Sequence, residues 1–157
     1  MKKFISFTWV HALTGVALCA VLFAFTRPTG AHSVQVYLDS KLVIDQHVSF
    51  KKDAPTVMLA PTEKYNQLIV KYDECGRTVT GRKITLKDEN NTVLKDWHFE
   101  GAATGFADPM PCSMKDVLAL KQKGSNTLKV FYSSNDFPEG QHVASLVING
   151  NATTASN

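Results

Sequence analysis

Acidic residues are missing from the first 31 positions, whose only charges are Lys2, Lys3 and Arg27. Taking those three from the 17 Lys+Arg of the 157-residue chain leaves 14, against 14 Asp+Glu, so residues 32–157 are neutral. A neutral body has no basic face with which to hold a phosphate backbone, and no nucleic-acid partner is expected. Charged residues make up only 20% of the chain, and 44% is hydrophobic, with 9 Gly and 6 Pro. Those fractions exclude a disordered chain, a collagen repeat and a coiled coil, and the length suits one domain with a real core.

Catalytic signatures are missing too. There is no Gly-x-Ser-x-Gly elbow, no pair of histidines at helical spacing around a glutamate, and no glycine-rich loop opening a helix. The first would expose a nucleophile on a sharp turn, the second would hold zinc, and the third would cradle phosphate. The four body histidines, His32, His47, His98 and His142, are scattered. Asp73-Glu74 and Asp88-Glu89 are adjacent pairs. Neighbours on a strand point to opposite faces, so both pairs read as turn charges rather than acid–base dyads. Neither catalysis nor a cofactor is expected; a hydrolase stands as an alternative only if distant residues converge in the fold.

What is present begins with a leader. Met1-Lys2-Lys3 is a positive start, Phe4 to Phe25 is mostly apolar, and Thr26-Arg27-Pro28-Thr29-Gly30-Ala31 adds a charge, a helix breaker and small residues. This is the order of a secretory signal cut after Ala31, giving an exported protein of the periplasm, cell surface or medium. The alternative is an uncleaved anchor, because about 20 apolar residues span a bilayer. Residues 4–25 are therefore the only membrane contact expected, and Thr8, His11 and Thr14 dilute their first half. Export changes how cysteine reads. Without Cys19 of the leader, Cys75 and Cys112 are the only two, and an even count in an oxidising space predicts one disulfide. Closing a loop of about 37 residues would restrict the unfolded chain by roughly 3–4 kcal/mol.

Short alternating runs separated by turn residues dominate the body. Val34, Val36 and Leu38 alternate with polar neighbours, and Leu42-Val43-Ile44 returns as a hairpin partner. Val57-Met58-Leu59, Leu68 to Tyr72, Ile84 to Leu86, Val93 to Phe99, Leu128 to Tyr132 and Val143 to Ile148 follow. Asp88-Glu89-Asn90-Asn91 is a hairpin turn, since Asn tolerates positive φ. Gly101 to Pro111 has two Gly, two Pro and no period, and reads as a long irregular loop. Ser113 with Asp116 three residues on, before Val117 and Leu118, predicts a short helix near 114–121. Eight or nine short strands with turn signals every 8–12 residues predict an all-β fold, an antiparallel sandwich over residues 32–149 of immunoglobulin-like or jelly-roll-like kind. Residues 150–157 read as a disordered polar tail. The run Val117-Leu118-Ala119-Leu120 … Lys123-Gly124-Ser125-Asn126-Thr127-Leu128-Lys129-Val130 resembles a turn of many jelly-roll and immunoglobulin-like binding modules, which implies the same architecture and assigns no site residue.

Within that fold Trp97 is expected inside, against the disulfide. Phe106 and Asp108 in the long loop, Phe137 in the next turn, and Tyr37, Tyr65 and Phe131 by phase or position are the candidate ligand contacts. Aromatics held on loops or a sheet face suit a glycan or a protein of the cell envelope, so the expected function is a non-catalytic binding or structural module. Met110-Pro111-Cys112-Ser113-Met114 offers an alternative. In an extended segment Met110, Cys112 and Met114 project to one side, and with His98 they form a soft donor set for Cu(I).

Overall fold

The alternating segments pair as two sheets. In the computed structural model, which describes residues 32–48, 53–60, 62–120 and 126–148, the elements run β1 (Ser33–Leu38), β2 (Lys41–His47), β3 (Thr56–Leu59), β4 (Gln67–Asp73), β5 (Thr78–Val79) and β6 (Arg82–Lys87). They continue as β7 (Val93–Phe99), β8 (Ala103–Thr104), β9 (Met110–Ser113), α1 (Met114–Ala119), β10 (Thr127–Ser133) and β11 (Gln141–Ile148). One sheet has the order β2-β1-β4-β9, the other β3-β11-β10-β6-β7, and β5 with β8 forms a two-stranded ribbon. The expected leader over residues 1–31 and the expected polar tail over residues 150–157 lie outside the described residues. The chain divides into Met1–Gly30 and Ala31–Asn157, and all of these elements belong to the second unit. Among the described residues no helix is long and apolar enough to cross a membrane.

Period-two alternation determines which face is buried. In β1 Val34, Val36 and Leu38 are buried and the residues between them are not; in β4 the same holds for Leu68, Val70 and Tyr72. Ile84 and Leu86 on β6 and Leu128, Val130 and Tyr132 on β10 face them from the second sheet, in one continuous core. Tyr72 and Tyr132 stack across the interior with ring centroids 3.9 Å apart. Each such aliphatic, fully removed from water, stabilises the fold by about 1.5–3 kcal/mol before conformational entropy is counted. The fold is all-β and sandwich-like, as the alternation implies.

The turns close for identifiable reasons. Asp39 adopts φ 54 between β1 and β2, and its Oδ1 accepts the N–H groups of Asn66 and Gln67 at 3.0 and 2.9 Å, tying that hairpin to β4. Asn91 takes φ 64 in the β6–β7 turn, where buried Asp88 accepts the Thr92 N–H at 2.8 Å. Ser113 stands at the N-cap of α1 with extended backbone but makes no side-chain cap. Asp116 in the first turn instead accepts from Lys95 at 2.7 Å.

Four expectations are corrected. The described residues hold eleven strands rather than eight or nine, because the two-residue β5 and β8 carry no periodicity to read. The stretch 101–111 is not wholly irregular: Ala103–Thr104 pairs with Thr78–Val79, and Met110–Pro111 opens β9 beside β4. Pro111 is tolerated there because β9 is an edge strand, where a missing N–H breaks no ladder. β3 runs parallel to β11, so the pairing is not antiparallel throughout.

The fourth correction concerns the disulfide. Both cysteines are free thiols, Cys75 exposed and Cys112 buried. Cys112 lies opposite Leu68 on β4, whereas Cys75 follows that strand seven residues further along. At about 3.3 Å per residue the separation is roughly 20 Å, and a disulfide needs Cα atoms within about 7 Å. Trp97 is half-buried against the core with Lys95 over its ring at 5.0 Å, and no sulfur bridge lies beside it.

Candidate functional site

A polar concavity lies on the outer face of the five-stranded sheet. Since Ile84, Leu86, Val130 and Tyr132 point inward, alternation turns Lys83, Thr85 and Lys87 of β6 and Lys129, Phe131 and Ser133 of β10 outward. Strand register then arranges them in rows. Asp96, Thr85, Phe131 and His142 lie side by side across β7, β6, β10 and β11, and His98, Lys83 and Ser133 form the next row. A register shift between Val130 and Phe131 sets Phe131 opposite His142. The two rings stack with centroids 4.9 Å apart, while the Lys87 ammonium lies 4.2 Å from the centre of the Phe131 ring. Thr85 donates to Asp96 at 2.6 Å, and Lys83 pairs with the same carboxylate at 3.8 Å.

Two adjoining cavities open on this face. One, of about 120 Å³, is lined by Lys83, Thr85, Lys87, Asp96, Phe131, Ser133, Pro138 and Glu139, among others. The other, of about 280 Å³, is lined by Gly81, Lys83, His98, Ser133, Ser134, Asn135 and Pro138. Sharing Lys83, Ser133 and Pro138, the two lie side by side between the sheet face and the loop after β10, and together they make up the groove. The floor is aromatic and cationic; the walls carry hydroxyls and two carboxylates.

His142, stacked on Phe131 from β11, lies outside the groove and lines a separate small cavity with His47, Asp53 and Gln141. Burial lowers its pKa, an effect partly countered by the Ala144 carbonyl and Asp53 and reinforced by Lys129 and Lys87. Its Nε2 lies 3.0 Å from the Ala144 carbonyl oxygen and 3.2 Å from Ser145 Oγ. A carbonyl only accepts, so Nε2 carries the proton, and the ring cannot take one from Ser145 at that atom. His98 stands on the other side of β6 and β10, three strand spacings or about 14 Å away. The two histidines therefore do not meet.

The residues singled out in the sequence are spread over four places. Phe106 is half-buried in the turn after β8, and the main-chain carbonyl of exposed Asp108 accepts from Arg82 Nη1 at 2.9 Å. Phe137 is half-buried, edge-on to His32 with centroids 5.8 Å apart. The three lie at one end of the sandwich, where Arg77 pairs with Asp136 and Asn135 bonds Thr80. Tyr37 is elsewhere, on the outer face of the four-stranded sheet, with Lys71 over its ring at 5.3 Å and its hydroxyl donated to Gln35 at 3.0 Å. Met110, Cys112 and Met114 do share one side, and that side is the core, where all three are fully buried. Burial pushes the Cys112 thiol up to about 12, slightly offset by Lys95, which disfavours the thiolate a soft metal binds. His98 is exposed, in the groove of the other sheet. Among the described residues no group of three or more His, Cys, Asp or Glu is placed to hold a metal ion.

Glu74 is the main surprise. Although it reads as a turn charge, it is 2% exposed and accepts from Tyr132 at 2.8 Å and Ser134 at 2.6 Å. Asp73 does behave as a turn residue, accepting the Gly76 N–H at 2.6 Å. Burial and the Glu74 charge both raise the pKa of Tyr132, whose hydroxyl stays a donor. Arg82, 5% exposed, lines the same end of the core, and its Nε has no hydrogen-bond partner among the described residues. Nothing local in Asp-Glu-Cys-Gly distinguishes the buried acid from the exposed one; the hydroxyls that receive it come from a strand nearly 60 residues on. A scan of protein-family models and a comparison with curated proteins find no match to this chain.

Proposed function

We propose that the protein is an exported cell-envelope binding module, without catalysis of its own, that holds a glycan segment in the groove across β6 and β10. The carrying observation is that two cavities share Lys83, Ser133 and Pro138, so that polar and aromatic side chains follow one another from Lys87 and Phe131, past Lys83 and Ser133, to His98 and Asn135. Sugars present hydroxyls that both donate and accept, beside flat C–H faces. The groove offers ammonium and hydroxyl donors from Lys83, Lys87, Thr85 and Ser133, carboxylate acceptors from Asp96 and Glu139, and an aromatic edge at Phe131. Such sites consist of a few convergent polar groups around an apolar surface. The loop that walls the groove, through Pro138 and Glu139, belongs to the region expected to present ligand contacts. The non-catalytic part of the reading is supported by the Ser145–His142 contact, whose imidazole proton is directed at a main-chain carbonyl.

A panel of soluble oligosaccharides titrated by NMR into the isotope-labelled protein tests the proposal. The expected result is shift changes confined to β6, β10 and residues 134–140, abolished by Phe131→Ala and weakened by Lys83→Ala. Binding unaffected by both variants, or no binding to neutral and acidic glycans alike, overturns the assignment.

A further inference from the structure

His32 is held from several directions. The Val48 N–H donates to its carbonyl at 2.8 Å, fixing the main chain. Its Nδ1 lies 3.0 Å from the Tyr72 hydroxyl, and the ring stands edge-on to Tyr72 and to Phe137, at 5.6 and 5.8 Å between centroids. It also follows Ala31, the small residue at which the leader is expected to end. We propose that removal of the leader makes His32 the amino-terminal residue, and that its α-amine and Nδ1, with the Tyr72 hydroxyl as third donor, bind one Cu(II) ion. The inference rests on the export half of the functional reading and not on the glycan groove.

The chemistry is direct. Water adds across the Ala31–His32 peptide bond under a leader peptidase: the C–N bond breaks, the hydroxyl goes to the Ala31 carbonyl carbon, and one proton goes to the His32 nitrogen; the new Ala31 carboxylic acid then gives up its proton and the amine takes one up, leaving a carboxylate and an ammonium. On binding, the resulting ammonium releases a proton to solvent, and amine and imidazole close a six-membered chelate ring around the metal. Donors about 2.0–2.2 Å from a metal and at right angles to one another are about 3 Å apart, which is the spacing of Nδ1 and the Tyr72 oxygen. Nitrogen and oxygen donors in a tetragonal set favour Cu(II), which also leads the divalent series in affinity. Clusters of His, Cys, Asp and Glu do not reveal such a site, because one donor arises only on cleavage and another is a phenol.

The full chain expressed with its leader provides the test. Intact-mass measurement of the exported product is expected to place His32 first; any other first residue overturns the inference and leaves the groove untouched. Cu(II) titration followed by electron paramagnetic resonance is expected to give one ion per chain with two nitrogen couplings. Inserting Gly-Ser between Ala31 and His32, with the new terminus confirmed by mass, should weaken binding at least about tenfold, and Tyr72→Phe about tenfold. Equal affinity in the inserted form, or couplings that survive His32→Ala, overturns the site. Glycan titration of the same samples reads the groove separately, through Phe131→Ala.

Discussion

Tyr132→Phe isolates the hydrogen bond that holds the buried Glu74 carboxylate. The change deletes one oxygen and keeps the ring, so the stack on Tyr72 at 3.9 Å is retained. What is lost is a 2.8 Å donation to a carboxylate that is 2% exposed. A hydrogen bond to a charged group contributes about 1.5–3 kcal/mol, and of the two side-chain hydroxyls that donate to Glu74 only that of Ser134 would be left. We therefore expect a loss of about 2 kcal/mol. In a domain of this size 1 kcal/mol corresponds to roughly 4 °C, so Tm should fall by about 8 °C. Calorimetry on Tyr132→Phe, Ser134→Ala and the double variant measures it. The double variant should lose more or less than the sum of the singles, because both hydroxyls serve one oxygen, Oε1. A loss below about 0.5 kcal/mol in Tyr132→Phe would mean that water reaches Glu74 and would refute the reasoning.

Three further outcomes follow from other parts of the fold. Cys75→Ser should leave the melting curve unchanged in oxidising buffer, and a thiol reagent should modify Cys75 in the native protein but Cys112 only after unfolding. Gly140→Ala should destabilise by about 2 kcal/mol or more in chemical denaturation: its φ is +73, and an added Cβ would meet the Tyr132 carbonyl oxygen at 2.8 Å, a main-chain atom that cannot step aside. The lowered pKa of His142 means that the unfolded chain takes up its proton first as pH falls. The associated stability is therefore present above the ordinary histidine value of 6.5 and lost below it. His142→Gln should flatten that part of the stability–pH curve measured in urea; an unchanged slope would mean that the ring is solvated when folded.

How much was legible in advance depended on how local each cause was. Val34, Val36 and Leu38, or Ile84 and Leu86, declare a half-buried strand from their spacing alone, because side chains alternate faces whatever the partner strand is. The 88–91 turn is equally local, since Asn91 has a side chain that accepts positive φ. The helix after Ser113 was legible in position though not in mechanism, as its cap hydroxyl is unused. The groove was legible only in part: phase turned Phe131 outward, but the row joining it to Thr85, Asp96 and His142 exists only through register with three other strands.

Alternation, turn chemistry and composition thus determined from the sequence alone that this chain makes short strands enclosing one apolar interior. Tertiary structure decided which strands are neighbours, and with them every long-range pairing. It separated Cys75 from Cys112 along β4, buried Glu74 while leaving Asp73 at the surface, and brought His32 to Tyr72 across 40 residues. The physical reason is range. Backbone preference and hydrophobic phase act over a few residues, whereas the environment of a thiol, a carboxylate or an imidazole depends on whichever distant strand packs beside it.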